Sequence, residues 1–324
     1  MRALELVSGV TQGNRRDISR AITILEDELP GSRELYAEVY RRGGKAFVLG
    51  VAGPPGAGKS TLINCLIHEL RSRGHKVGVV AVDPTSPFTG GALLGDRIRM
   101  VDHSLDEGVY IRSMASRGSR GGLSRNARKA ICVLDAAKYD VIILETVGIG
   151  QTEVDIVRVA QATIVIIMPE MGDSVQAMKA GLMEIGDIFV VNKADLEGAD
   201  RAALEIGQFA RGKDGGRPKV LKTVAKTCQG VPELASAVEG LMANAKAVRA
   251  RRGREDVVDE VREALNGKVE SAFARGVVGH PGWEALLKKV AERKVDPDTA
   301  AEVMMKDLAE GGRASPRNPA RRRS

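Results

Sequence analysis

The run "AFVLGVAGPPGAGKST", residues 46–61, constrains the fold more than any other stretch. An aliphatic segment of strand length meets a glycine-rich loop, and a helix-forming segment opens at Lys59. Within it, "GPPGAGKST", residues 53–61, has the spacing GxxxxGK[ST]. Glycines at 53, 56 and 58 let the backbone turn and aim its N–H groups at phosphate oxygens. The positive end of the following helix favours the same negative charge. In this pattern Lys59 reaches the β- and γ-phosphates and the Ser60 hydroxyl ligates Mg²⁺. Gly53, Pro54, Pro55, Gly56, Ala57, Gly58, Lys59, Ser60 and Thr61 are therefore candidate nucleotide-binding residues. The competing reading is a glycine turn with a chance Lys-Ser pair; the flanking strand and helix weigh against it.

The rest of the chain repeats the alternation. Strand-like runs "KVGVVAVD", "GVYIRS", "DVIILE", "ATIVIIMPE", "DIFVVNKAD" and "PKVLKTVA" alternate with helix-like or glycine-rich segments. That order predicts right-handed βαβ units and a mostly parallel sheet flanked by helices, the α/β architecture of a P-loop NTPase. Most runs are apolar throughout rather than alternating, as strands covered on both faces require. Aromatic content of 3% beside 43% hydrophobic residues makes the core aliphatic. Helical extensions are expected at both ends. Residues 17–42 read as amphipathic helix, with Ile18, Ala21, Ile22, Leu25 and Leu29 at helical spacing. A helix from Ser124 should carry Ala127, Ile131 and Leu134 on one face. From about residue 233 the pattern is wholly helical. There Val258, Val261, Leu265, Val269 and Phe273 form one stripe, and a last helix opens at Asp-Pro in "DPDTAAEVMMKDLAE". The expected organisation is an N-terminal helical extension 1–44, a nucleotide-binding domain 45–240, a helical arm 241–310 and a disordered basic tail 311–324.

Composition excludes several classes. No apolar run approaches the ~18 residues that span a membrane, and the N-terminus shows no signal or transit pattern. Net charge is +7, much of it in "GGRASPRNPARRRS", and no basic module interleaved with aromatics argues for nucleic acid. Four scattered histidines give no metal-ligand spacing. Cys65, Cys132 and Cys228 are far apart and form no CxxC, so each is expected as a buried free thiol in a reducing cytoplasm.

"NKAD", residues 192–195, ends a strand. An Asp there accepts two hydrogen bonds from guanine's ring N–H and exocyclic amine, which adenine cannot supply, so GTP is expected over ATP. Asn192 and Lys193 would brace the loop and cover the base, and Asp195 would read it. Val224, Ala225 and Lys226, after the next strand, stand where a backbone N–H could meet the guanine oxygen. A capped turn is the bland alternative for both segments.

Three carboxylates fall near the phosphate end. Asp83 ends "VVAVD", Asp96 lies in "GGALLGDRIRM" and Glu145 ends "VIILE". Ligands of open α/β sheets bind at the carboxyl ends of strands, so Asp83 and Glu145 should face the nucleotide if their strands adjoin the P-loop strand. Mg²⁺ wants oxygen ligands and keeps several waters, so the acids act on it directly or through water. In "LETVGIGQTE", Gly148 is the candidate γ-phosphate sensor. Glu145 and Gln151 both remain candidates to orient the attacking water, although two residues inserted between Gly148 and Gln151 carry Gln151 away from a Ras-type position. Arg97, Arg99, Arg117 and Arg120 read as solvated loop arginines, and no built-in arginine finger is identifiable.

Together "GPPGAGKST", "AVDPTSPFTGGALLGDRIRM", "ETVGIGQTE", "MPEMGDSVQAMKAG" and "NKAD" resemble the methylmalonyl-CoA mutase-associated GTPases (MeaB/ArgK type). These belong to the class that also holds the signal-recognition and metallochaperone GTPases. The resemblance implies hydrolysis of GTP to GDP and phosphate with Mg²⁺. It also implies a homodimer formed through the C-terminal helices and a cobalamin-dependent acyl-CoA mutase as partner, whose adenosylcobalamin loading and protection the GTPase gates. It places Asp83, Asp96 and Glu145 with Ser60 in the metal and catalytic set. Within Met168–Lys179 it makes Asp173 and Lys179 part of a partner-sensing loop. The loop reads "PEMGDSVQ" where the family more often has Pro-Gly-Ala-Gly-Asp, and "TVAKTCQG" departs from its usual Thr-Ser-Ala pattern. The alternatives are a GTP-dependent metallochaperone, which should show a Cys or His cluster, a P-loop kinase using ATP, and a non-catalytic dimeric scaffold.

Overall fold

The computed structural model describes residues 3–83, 103, 105–115, 122–146, 159–169, 183, 186–209, 218–249, 257–258, 260–262, 264–269 and 282–311. They fall in two compact units, Met1–Arg252 and Gly253–Ser324.

The first unit is built on a seven-stranded sheet. Its strands are β1 (Phe47–Ala52), β2 (Val77–Asp83), β3 (Val109–Ala115), β4 (Val141–Thr146), β5 (Ala162–Ile167), β6 (Ile188–Asn192) and β7 (Lys219–Thr223). The order is β3-β2-β4-β1-β5-β6-β7 and every pairing is parallel. Strands β1, β5 and β6 are buried at every residue, as their unbroken apolar runs require, whereas the edge strand β7 is buried only at Thr223.

Period-two alternation sends successive side chains of each strand into different layers. Val48 and Ala52 join the core formed with α1 (Ala3–Thr11), α2 (Arg15–Glu26), α3 (Ser32–Arg42), α5 (Gly122–Ala136) and α6 (Ala199–Phe209). Phe47, Leu49 and Val51 join the core formed with α4 (Lys59–Ser72) and α7 (Val231–Arg249). On α5, Ala127, Ile131 and Leu134 are buried as their spacing predicts.

The N-terminal extension differs from its sequence reading. Residues 17–42 are two helices rather than one, and α1 precedes them. Helix α2 ends at Glu26, Glu28 takes φ +49° and Leu29 is exposed. The cause is Pro30, which disfavours helical backbone at the residue before it, followed by Gly31 at φ +85°. Arg112 on β3 pairs with Glu26 at 2.8 Å, and the Lys129 ammonium donates to the Leu25 carbonyl at 2.9 Å, fastening α2 to the sheet layer. The Asp135 carboxylate accepts the backbone N–H groups of Gly44, Lys45 and Ala46, which fixes the entry into β1.

On the other face, α4 and α7 are clamped together. Arg73 donates to Glu69, Glu239, Ser236 and the Pro232 carbonyl, and the His75 ring lies 2.9 Å from Glu239. A cavity of about 730 Å³ lies beside this clamp, lined by His75, Asp140, Glu239 and Phe47 among others. Phe47 opens β1, while Asp140 and His75 lie just before β4 and β2, so the cavity is at the amino ends of the strands, away from the glycine-rich loop.

In the second unit, residues 257–258, 260–262 and 264–269 are helical, followed by α8 (Trp283–Ala291) and α9 (Pro297–Gly311). Asp296 accepts from both the backbone N–H and the hydroxyl of Thr299, the N-terminal cap expected at Asp-Pro. Leu286, Ala300 and Met304 form a small core. Val258, Val261, Leu265 and Val269 are 41–62% exposed; Phe273 and the basic tail lie outside the described residues. No helix among the described residues is long and apolar enough to cross a membrane.

The clamp carries a pH dependence. Hydrogen bonds from His75 and then Arg73 hold the Glu239 carboxyl below its ordinary value of 4.5. A depressed carboxylate stabilises the fold above its ordinary pKa, and that stabilisation is lost as pH falls through the depressed value. Urea denaturation across pH 5 to 3 should therefore show a steeper loss of stability in the native protein than in Glu239→Gln, and parallel curves would contradict the clamp.

Candidate nucleotide-binding site

The glycine-rich loop leaves β1 at Gly53 and enters α4 at Lys59. Two of its glycines are sterically required. Gly53 has φ +147°, and a Cβ there would stand 2.3 Å from the Ile166 carbonyl oxygen on β5. Gly58 has φ +87°, and its Cβ would stand 2.4 Å from Nδ2 of Asn192. Only glycine lets the loop pass this close to both neighbours. Buried Lys59 donates to the carbonyls of Gly53 at 2.7 Å and Pro54 at 3.1 Å, so its ammonium is held inside the loop it serves.

Strand β4 lies beside β1, with Val51 in register with Glu145. This brings the acid to the start of α4, where the Ser60 hydroxyl donates to Glu145 Oε1 at 2.7 Å. Both residues are buried. A hydroxyl and a carboxylate at this distance are hard oxygen donors of the kind Mg²⁺ takes, so the residues present fit that ion. Asp83 differs from the expectation in one respect: its strand, β2, pairs with β4 and β3 and not with β1. It closes β2 one strand further out, because β4 occupies the place next to the loop strand. The Asp83 side chain lies outside the described residues, as do Asp96, Gly148, Gln151, Asp173, Lys179, Arg97, Arg99, Arg117 and Arg120.

On the other side of β1, the strand order β5-β6-β7 brings the "NKAD" turn to the same end of the sheet. The buried amide of Asn192 is its hub. Nδ2 donates to the Ala57 carbonyl in the glycine-rich loop at 2.7 Å. Oδ1 accepts from the Thr223 hydroxyl at 3.1 Å and from the Ala225 backbone N–H at 3.0 Å. One side chain thereby joins the phosphate loop to the turn that carries Val224, Ala225 and Lys226. The turn is closed by Val224 N–H to the Gln229 carbonyl and Thr227 N–H to the Val224 carbonyl, both 3.1 Å. Lys193 takes φ +58°, and its ammonium lies 3.6 Å from the Met168 sulfur. Asp195, two residues on, is exposed.

Two partners in this site carried no sequence signal. Thr223, buried beneath Asn192, opens the "TVAKTCQG" stretch, but the candidate base contacts in that stretch begin only at Val224. Cys65 on α4 and Cys228 in the turn from Val224 to Gln229 form a disulfide with Cα atoms 5.5 Å apart. This corrects the expectation of three buried free thiols. Cys228 is exposed, and the 163 residues that separate it from Cys65 hide the pairing from any spacing argument. Cys132 keeps a sulfur outside the disulfide, 4.0 Å from the Tyr36 hydroxyl.

A parallel sheet, a phosphate loop at its central strand and an Asn-Lys-x-Asp turn braced against that loop define the protein as a P-loop GTPase. Residues 18–276 match the model of the methylmalonyl Co-A mutase-associated GTPase MeaB. A putative GTPase of Pyrococcus abyssi is 46% identical over 320 residues, covering 95% of this chain and 97% of that protein. GTPase ArgK of Escherichia coli is 37% identical, covering 72% of this chain and 74% of its own. The mouse mitochondrial methylmalonic aciduria type A homolog is 34% identical, covering 71% of this chain and 60% of its own. The crystal structure of a LAO/AO transport system kinase superposes with a TM-score of 0.68 at 27% identity, covering 96% and 98% of the two chains. The chain belongs to the MeaB family of GTPases.

The hub makes a direct prediction. Asn192→Ala leaves the Ala57 carbonyl, the Thr223 hydroxyl and the Ala225 N–H without their partner, at about 1 kcal/mol or more for each buried group. Chemical denaturation should show a loss of about 3 kcal/mol. A change below about 0.5 kcal/mol, the size of an ordinary surface substitution, would contradict the role given to this side chain.

Proposed function

We propose that the protein couples GTP hydrolysis to the care of a cobalamin-dependent acyl-CoA mutase, such as methylmalonyl-CoA mutase, gating adenosylcobalamin loading and protecting or reactivating the enzyme. The observation that carries the nucleotide half is the Asn192 hub, which holds the 224–226 turn at a fixed offset from the phosphate loop, with the exposed Asp195 three residues beyond Asn192 along the chain. Asp195 then pairs with guanine's two donors, the Lys193 stem covers the base, and Val224, Ala225 and Lys226 line its far edge. The mutase half is supported by the family match and by the relative named for methylmalonic aciduria. A cytoplasmic setting belongs to the same reading.

At the phosphate end, the backbone N–H groups of Gly53–Thr61 cradle the nucleotide, and Lys59 exchanges the carbonyls of Gly53 and Pro54 for β,γ oxygens. Ser60 and Glu145, with Asp83 and Asp96, would hold Mg²⁺, which when bound neutralises charge developing on the phosphates. Glu145, already fixed by Ser60, is the better-supported residue to orient water; Gln151 is the second candidate and Gly148 the γ-phosphate sensor. Asp173 and Lys179 report nucleotide state to the partner. Residues 45–240 would be the G domain, with 1–44 as a helical extension. The arm 241–310 would pair two copies through the exposed stripe at Val258, Val261, Leu265 and Val269, whose spacing suits a helix seam.

Hydrolysis should be slow in isolation, because no arginine finger is identifiable in the sequence, and faster when a partner orders the loops. Phosphate release should rise at least ~10-fold when the cognate cobalamin-dependent mutase is added. Glu145→Gln should bind GTP yet remain slow with the mutase present. Equal turnover of the native protein with and without the mutase would overturn the partner assignment.

A further inference from the structure

The turn assigned to the base is covalently tied to the helix that starts at the phosphates. Cys65 sits in the second turn of α4, buried against the core shared with α7, and Cys228 closes the turn that begins at Val224. Besides the disulfide, the turn is held by the Asn192 bond to Ala225, the burial of Ala225 in the core with α4 and α7, the Thr227 hydroxyl on the Val224 carbonyl, and its own backbone bonds. Cys228 itself takes φ +55°, the left-handed region that favours glycine, so its surroundings must hold it there. Cys65 also contacts the turn without the covalent bond: its sulfur lies 3.2 Å from the Ala225 carbonyl oxygen.

We propose that the Cys65–Cys228 disulfide is a thiol-responsive lock on guanine-nucleotide affinity: formed, it keeps residues 224–226 in the base-binding position, and reduction by a dithiol releases them. This rests on the reading of that turn as the base contact. The two residues differ in exposure, Cys228 being exposed and Cys65 buried, so a reductant reaches the bond from the Cys228 side. One thiolate of the dithiol attacks Cys228 Sγ, forms a mixed disulfide and expels the Cys65 thiolate, which takes a proton. The second thiolate then closes the reductant's own disulfide and expels Cys228, which is protonated in turn. Two electrons pass from the dithiol to the protein, leaving two thiols. The freed Cys65 S–H can donate to the Ala225 carbonyl, so reduction loosens the turn without removing every tether. Nucleotide must then order the turn as it binds, and that cost appears as weaker affinity.

The test uses the full chain carrying Cys132→Ser, so that every thiol counted belongs to the pair. Thiol titration in denaturant should find none before dithiothreitol and two after it. Fluorescent GDP should bind about 10-fold more weakly after reduction, about 1.4 kcal/mol, and reoxidation should restore the affinity. Cys228→Ser should match the reduced protein and ignore dithiothreitol. Two thiols before reduction, or equal GDP affinity in both redox states, would overturn the lock. A matching ADP titration separates this from the reading beneath it. If guanine is preferred over adenine in both states with unchanged affinity, only the lock falls. If guanine is preferred in neither state, the base-site reading falls and takes the lock with it.

Discussion

The site depends on one buried amide. Asn192 spends its donor on the phosphate loop and its acceptor on the base-side turn, reaching Ala57, Thr223 and Ala225 from a single position at the end of β6. A carboxamide is the side chain that can donate and accept at once in so small a space. Aspartate would set a buried charge against the Ala57 carbonyl, and leucine would strand three polar groups. Because the groups are buried, their bonds are costly to break, and the two halves of the nucleotide site keep a fixed separation.

The sheet supplies the frame for this amide. Placing β5 and β6 on one side of β1 and β4 on the other leaves the loop between a turn that can read a base and an acid that can serve a metal. Gly53 and Gly58 mark how tightly the loop is fitted, since a Cβ would strike the Ile166 carbonyl on β5 at the first and Asn192 at the end of β6 at the second. The helices on the two faces have separate roles. Helices α1, α2, α3, α5 and α6 complete one layer, while α4 and α7 form the layer to which the phosphate loop and the base-side turn are both attached. The Arg73–Glu239 clamp at the end of α4 and the Cys65–Cys228 bond at its middle fix that second layer at two places.

Much of this was legible in the sequence, for physical reasons. A parallel strand buried on both faces must be apolar throughout, so β1, β5 and β6 announced themselves. A phosphate loop must have glycine where its backbone crowds a neighbour, as at Gly53 and Gly58, so residues 53–61 were readable from their spacing between a strand and a helix. Glu145, at the carboxyl end of a strand, meets Ser60 at the start of α4, where strand-end acids of a parallel sheet are brought together with the loop. Legibility failed where one local signal outweighed another and where structure depends on partners distant in sequence. Leu29 fits the helical stripe, but the local Pro30-Gly31 overrides the period. Asp83 looks equivalent to Glu145 until the strand order puts Glu145's strand, β4, between β2 and the loop strand β1. Thr223 and the disulfide become visible only once β6, β7 and α4 have been brought side by side.

The central claim, that Asn192 makes the phosphate loop and the base turn one frame, is tested most directly by binding each half of the ligand separately. Calorimetric affinities for guanosine alone and for inorganic pyrophosphate alone should both fall in Asn192→Ala. Asp195→Ala should weaken only guanosine, and Lys59→Ala only pyrophosphate. An Asn192→Ala protein that loses affinity for one half and keeps it for the other would show that the two loops are held independently, and would contradict the account.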